Sequence, residues 1–303
     1  GGTLSATENE YLVGTAKIDI TPDYPVRLSG FGFRRTESEG ITQRIWAKAL
    51  AVSEDDSSPA GLITVDNLGI PGSMVESLSQ RLQDSLKLTP ERLTVTATHT
   101  HTAPMLSGVA PTLFGLPISR EHQSHIDQYT QELERHLETV ATEAIKNLQP
   151  GTLEFGIGQV AFAKNRRTKG GPVDHDLPPL FVKNSDGKII AIYTNYACHC
   201  VTLSHNHISG DWAGYAQTAI EARYPGSTTL IAIGCGADAN PDSGVVGDDT
   251  ATAARQGNEI ADGIARILDR PRLPVTGSLS IQSETISLDF ATPPSKSEWQ
   301  ERA

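Results

Sequence analysis

The apolar positions of this chain change period several times, and the changes divide it into elements. Val13 to Ile20, Ile45 to Val52 and Leu62 to Val65 are apolar runs of strand length. Turn clusters at Thr21-Pro22-Asp23 and Glu54-Asp55-Asp56-Ser57-Ser58-Pro59 punctuate them. Met74, Val75, Leu78, Leu82 and Leu86 then recur at helical spacing until Pro90 breaks the pattern. Leu93-Thr94-Val95 returns to strand spacing. The clearest helix places Ile126, Tyr129, Leu133, Leu137, Val140, Ala144 and Ile145 on one stripe, with Pro150-Gly151 as its stop. Leu153 to Ala163 and Ile189 to Tyr196 read as strands. A helix is predicted from about Ala213 to Arg223, with Asp211 as its cap and Pro225-Gly226 beyond its end. Thr229 to Ile233 reads as a buried strand, Ala254 to Leu268 as a helix, and Ser278 to Phe290 as a half-exposed alternating strand. Ser297 to Ala303 looks like the opening of a further helix that is cut off.

Helices alternating with strands predict an α/β fold of mixed β-sheets flanked by helices, in one large domain over 1–303 that is incomplete at its C-terminus. The length of 303 residues, 38% of them hydrophobic, is enough for a sizeable core. Lys plus Arg number 25 against 36 Asp plus Glu, a net charge of −11. With no long basic run, the chain is expected to bind no nucleic acid and to have no general attraction to anionic membranes. No apolar stretch is long enough to span a bilayer. Gly1-Gly2-Thr3-Leu4 shows no charged segment leading into an apolar one, so no signal-peptide pattern is visible. The three cysteines do not make a disulfide framework, and Cys198 and Cys200 read as buried thiols.

Candidate chemistry gathers at strand ends. In Thr96-Ala97-Thr98-His99-Thr100-His101-Thr102-Ala103-Pro104, strand alternation would point His99 and His101 the same way, about 7 Å apart. A metal site, a proton-transfer site and a structural pair are all compatible with that. Three further segments each follow a strand: Lys164-Asn165-Arg166-Arg167, Asn195-Tyr196-Ala197-Cys198-His199 and Ile233-Gly234-Cys235-Gly236-Ala237-Asp238-Ala239-Asn240-Pro241. Ser209-Gly210-Asp211-Trp212-Ala213-Gly214-Tyr215 opens a helix, and all of them can converge on one sheet edge.

A catalytic zinc takes about three protein ligands and keeps one position for water. His99 and His199 would be two of them, and His101 just outside would shuttle a proton. Arg166 would stabilise charge on a carbonyl oxygen. Asp211 or Asp238 would orient a histidine or bind metal, and Asn240 is a further candidate. The rival structural readings are a core histidine for His199, a helix cap for Asp211 and a turn former for Asp238. Cys235 is a rival thiol nucleophile. His205 and His207 suit a solvated rim, His122 and His125 the surface ahead of a helix, and His175 a structural role. Gly30-Phe31-Gly32 lacks the spacing of a dinucleotide fingerprint.

Six segments carry a family resemblance: VGTAKIDITP, THTHTAP, KNRR, YACHCVTLS, ISGDWAGYA and GCGADANP, in order from Val13 to Pro241. Together they resemble the catalytic domain of the neutral/alkaline (non-lysosomal) ceramidases. The resemblance implies a zinc-dependent amidase that splits the N-acyl bond of ceramide or a related lipid-like substrate, in a secreted, periplasmic or cell-surface protein. By position, His99 and His199 match the family's two zinc histidines, His101 its neighbouring catalytic histidine, and Arg166 the arginine of its Asn-Arg motif. The family's other two ligands, a Glu and a Tyr, are expected beyond Ala303. One departure stands out. Where the family loop Gly-x-x-Ser-Pro carries its serine, this chain offers Ala239, which has no oxygen to attack a carbonyl. Either an activated water attacks, helped by Asp238, or the chain is a catalytically silent metal- or ligand-binding module.

Overall fold

The computed structural model describes residues 11–55 and 59–302; Gly1 to Leu4, Asp56 to Ser58 of the predicted turn, and Ala303 lie outside them. Strands β1 (Tyr11–Asp19), β2 (Gly40–Ile41), β3 (Trp46–Ser53) and β4 (Ala60–Val65) lead into helix α1 (Gly72–Leu86). A 3-10 turn at Pro90–Arg92 feeds β5 (Leu93–Ala97), and a long loop reaches α2 (Arg120–Lys146). The middle holds β6 (Gln149–Phe155), β7 (Gly158–Gln159), β8 (Ala163–Asn165), β9 (Asp176–Leu177), β10 (Leu180–Asn184) and β11 (Ile189–Tyr196). Then come β12 (His207–Ile208), α3 (Asp211–Arg223), β13 (Thr228–Ile233) and β14 (Ala239–Pro241). Helix α4 (Thr250–Leu268), β15 (Leu273–Val275) and α5 (Lys296–Arg302) follow.

The α/β expectation holds. The main sheet runs β13-β11-β10-β6-β1-β3-β4-β5, with β15 also on β6. Its middle is antiparallel, while β4 with β5 and β11 with β13 are parallel pairs at its two ends. Parallel neighbours need a crossover, and α1 and α3 supply one at each end. The sheet folds round so that β13 touches β5, β4 and β3, which brings the two crossover units together. That closure positions the site.

Local chemistry explains the elements. Ser119 accepts from the His122 N–H and caps α2, whose predicted stripe buries Ile126, Tyr129, Leu133, Leu137, Val140 and Ala144 against β1, β3 and β4. Each buried Leu or Ile contributes about 1.5–3 kcal/mol. A second core gathers around α3 and α4, and a third cluster, Tyr11, Val13, Leu50, Leu153, Val182, Ala191 and Leu230, links strands across the sheet. No helix among the described residues is long and apolar enough to cross a membrane.

Three predicted elements differ. Helix α2 already ends at Lys146, and Pro150 and Gly151 lie inside β6, paired with β1. The run from Leu153 to Ala163 is not one strand. Gly158 lies so close to α4 that a Cβ there would sit 2.7 Å from Ile267, and the chain turns away at Ile157 before Val160 and Phe162 re-enter a core. Ser278 to Phe290 forms no strand. Its alternation finds no ladder partner among the described residues, and Ile286, Leu288 and Phe290 are 68%, 83% and 99% exposed.

Candidate metal centre

All four strands of the two parallel pairs end at one place. Leu68 follows β4, Ala97 and His99 end and follow β5, His199 follows β11, and Ile233, Gly234, Gly236 and Ala237 end and follow β13. They line a cavity of about 270 Å³. Strand C-termini are the usual site of chemistry in such sheets.

His99 does not sit on the strand. β5 stops at Ala97, and His99 takes a left-handed φ of +58°. The pleat invoked from the sequence is absent, and the turn itself brings the His99 and His101 rings to 4.9 Å between centroids. A non-glycine residue in that region costs about 1–2 kcal/mol, so its surroundings must hold it. They do: the Thr98 N–H donates to the Val65 carbonyl, and His99 Nδ1 lies 2.6 Å from the Leu68 carbonyl oxygen.

The other two rings are held in the same manner. His199 is buried; its N–H donates to the Ala239 carbonyl and its Nδ1 lies 3.1 Å from the Gly236 oxygen. Trp212 Nε1 donates to the His199 carbonyl at 3.0 Å. His101 Nδ1 lies 3.1 Å from the Gly30 oxygen, and Phe31 meets its ring edge-on at 5.2 Å.

A carbonyl oxygen only accepts, so each of these Nδ1 atoms carries the hydrogen, and in a neutral ring Nε2 is left as a bare acceptor. Burial holds His101 down to about 3 and His199 to about 4, with the facing imidazoles adding to the effect, so both rings are neutral at physiological pH. Yet His99 and His199 approach Nε2 to Nε2 at 3.0 Å, and His101 Nε2 is buried with no partner. All three rings offer ligand atoms within 4.8 Å of one another. Acceptors that face each other are reconciled by a cation between them or by a proton on one Nε2. Two nitrogens on one tetrahedral zinc, each about 2.0–2.1 Å from it, stand roughly 3.4 Å apart, close to the observed spacing. The residues fit a divalent ion.

The sequence did not single out the supports of this cluster. The carbonyls of Leu68, Gly30 and Gly236 leave no side-chain signal. Arg34, in the loop after Gly30-Phe31-Gly32, is buried and donates to the carbonyls of Ser29, His101 and His205. Burial and the charge of Arg27 lower its pKa to about 10, which leaves it charged at neutral pH. Arg27 in turn donates to the Arg34 carbonyl and stacks on Phe114.

The remaining candidates are distributed around the cluster. Arg166 lies on the rim, its Nε donating to the carbonyl of the lining residue Ala237 at 2.9 Å. Asp238 is exposed; its carboxylate accepts from Asn165 Nδ2 and its carbonyl from the Arg166 N–H. Asp211 turns away from the histidines. It is the first residue of α3, with Gly210 at the cap position, and its carboxylate accepts from the N–H groups of Thr202, Leu203 and Trp212. Burial pushes its pKa up to about 6. It therefore anchors the segment after His199. Ala239 is buried in β14, and Asn240 Oδ1 is buried without a partner.

His122 and His125 lie within α2 rather than ahead of it, and both are half-buried, His125 Nδ1 standing 2.7 Å from Glu37 Oε1. His175 Nε2 meets the Ala163 carbonyl, the expected structural role. His205 and His207 stack edge to face at 5.4 Å and join no metal-type cluster among the described residues. Cys198 and Cys200 are buried as expected, and Cys235 is exposed.

Two crossover units closed around three imidazoles at their strand exits define an α/β protein with a histidine cluster of metal-site geometry. The family model for neutral/alkaline non-lysosomal ceramidase, N-terminal, matches residues 11–240, and the chain belongs to that family. A solved structure described as ceramidase complexed with C2 superposes with a TM-score of 0.77 at 20% identity, covering 89% of this chain and 46% of its own. The neutral ceramidase from Pseudomonas aeruginosa gives 0.76 at 21%, covering 90% and 47%. At these identities the likeness is one of fold, and this chain spans less than half of either. No curated protein sequence matches it.

Proposed function

We propose that residues 1–303 form part of the catalytic domain of a zinc-dependent hydrolase that cleaves an N-acyl amide, ceramide or a related lipid-like compound. One observation carries the reading: three imidazoles with Nδ1 tied to carbonyls turn their Nε2 acceptors toward one point beside a cavity, in a chain of the ceramidase family. His99 and His199 would hold the ion. Zinc there would polarise the acyl carbonyl and ease removal of a proton from a water. His101, neutral and with a free Nε2, accepts and returns a proton at that atom. Arg166 meets negative charge that develops on the carbonyl oxygen, and Leu68, Ala97 and Ile233 give the substrate an apolar wall. The Asn165–Asp238 contact fixes the loop that carries Arg166. Family membership supports a secreted, periplasmic or cell-surface setting.

Ala239 favours a second reading, a metal- or ligand-binding module without turnover. Counted back from Pro241, however, the family's serine position falls on Asn240, whose orphaned Oδ1 is a polar group with no structural partner. The test is zinc content and hydrolysis of a fluorescent N-acyl substrate, in wild type and in His99→Ala and His199→Ala. Stoichiometric zinc and turnover, both lost in each variant, support the hydrolase. Zinc without turnover selects the silent module, and zinc retained by both variants overturns the site.

A further inference from the structure

The end of β8 and the loop after it carry charge opposite to that of the whole chain. The net charge is −11, yet residues 164–169 hold Lys164, Arg166, Arg167 and Lys169 with no acid among them. All four are exposed, and none takes part in a salt bridge among the described residues. The Asp238 carboxylate beside them is occupied by Asn165 Nδ2 at 3.1 Å.

The loop is built rather than loose. Asn165 Oδ1 accepts from the N–H groups of Arg167 and Thr168 at 3.0 and 2.9 Å, and its Nδ2 also donates to the Pro172 carbonyl. The Gly171 N–H closes the turn on the Thr168 carbonyl. Pairing of β8 with β14 sets Asn165 opposite Ala239, whose carbonyl receives the His199 N–H. Arg166 is pinned to the cavity wall at Ala237. The guanidinium of Arg167 is near enough to repel that of Arg166, and both charges are felt at His199. Asp238 partly offsets the charge of Arg166, which its bond to Ala237 holds in place, whereas the Arg167 guanidinium has no carboxylate in contact among the described residues, so the rim keeps a surplus positive charge that an anion fills favourably.

We propose that this loop selects N-acyl substrates bearing an anionic group, a carboxylate or a phosphate, next to the scissile bond, with the Arg167 guanidinium as the group that reads it. The identity of the scissile bond rests on the hydrolase reading; the anion site does not. The experiment is therefore one of binding. Titration calorimetry on the 303-residue chain, with and without zinc, would compare N-lauroylglycine with neutral N-lauroylglycinamide. A second pair would be phosphorylated and free N-lauroylethanolamine, all below micelle-forming concentrations.

At least one charged probe should bind about tenfold more tightly than its neutral partner, the scale of one charge-assisted bidentate contact. The pair that shows the gap distinguishes carboxylate from phosphate. The gap should narrow as salt rises, vanish in Arg167→Gln and largely persist in Arg167→Lys, with zinc content unchanged throughout. Equal binding of charged and neutral probes, no binding of either charged probe, or a preference that survives Arg167→Gln overturns the proposal. Failure of the hydrolase reading would look different: missing zinc or missing turnover with the charge preference intact.

Discussion

Gly30→Ala asks whether the loop at Gly30 and the His101 ring form one rigid unit. Gly30 has φ of +92°, and a Cβ there would lie 2.6 Å from Cβ, Cγ and Nδ1 of His101. Carbon atoms pack best at about 3.5–4.0 Å, so ring or loop must move by roughly 1 Å. The ring has little room, with Phe31 at 5.2 Å, His99 at 4.9 Å and His199 at 5.2 Å between centroids. The loop has little either, because Arg34 ties Ser29 to the carbonyls of His101 and His205. The positive φ costs about 1–2 kcal/mol and the overlap about 1–3 kcal/mol, so a loss of about 2–5 kcal/mol is expected. A shift of about 1 Å is half a zinc–nitrogen bond, and disturbing such supports typically weakens metal binding about 10–100-fold. Denaturant unfolding gives the first quantity and competitive zinc titration the second. Gly108→Ala is the control: φ is +81° there too, but open space surrounds it, so only the backbone cost applies. If Gly30→Ala matches Gly108→Ala in stability and wild type in zinc affinity, the rigid-unit argument is wrong.

Asp211 sets a pH dependence. Its folded pKa of about 6 lies above the ordinary 3.8, so its contribution is fully favourable below about pH 4 and is lost as pH rises through about 6. Against Asp211→Asn, wild-type stability should therefore rise by up to about 3 kcal/mol from pH 7 to pH 4, some two pKa units at 1.36 kcal/mol each; a flat or opposite difference in denaturant titrations would contradict this. Gly257→Ala separates helix propensity from packing. Propensity alone predicts about 1 kcal/mol of stabilisation, but a Cβ would lie 2.6 Å from the Ala216 nitrogen and Tyr215 Cβ where α4 crosses α3. A Tm lowered by several degrees is expected, and an unchanged or higher Tm would refute the close crossing.

The parts of the fold that could be read from sequence are those whose signal is local. The stripe from Ile126 to Ile145 and the run from Ile189 to Tyr196 each carry their own period, and both elements are present. The split near Gly156 and Gly158 was invisible, because its cause is the Ile267 side chain more than a hundred residues away. Ser278 to Phe290 shows the converse: alternation permits a strand, but a ladder needs a neighbour. At the site, His99, His101 and His199 were legible as chemistry and come together. A left-handed turn at His99, and not the strand pleat, orients the first pair. Asp211 looked equally chemical but spends its oxygens on backbone N–H groups, a difference that residue type cannot encode.

The closure of the sheet has a consequence for the unfolded chain. His99 and His199 stand 100 residues apart in sequence, on opposite arms of the fold. An ion gripped by both would act as a removable covalent-style staple, and tethering a loop of that size restricts the denatured ensemble by about 4–5 kcal/mol in chain-entropy terms. Chelation would then loosen the whole molecule and not only its pocket.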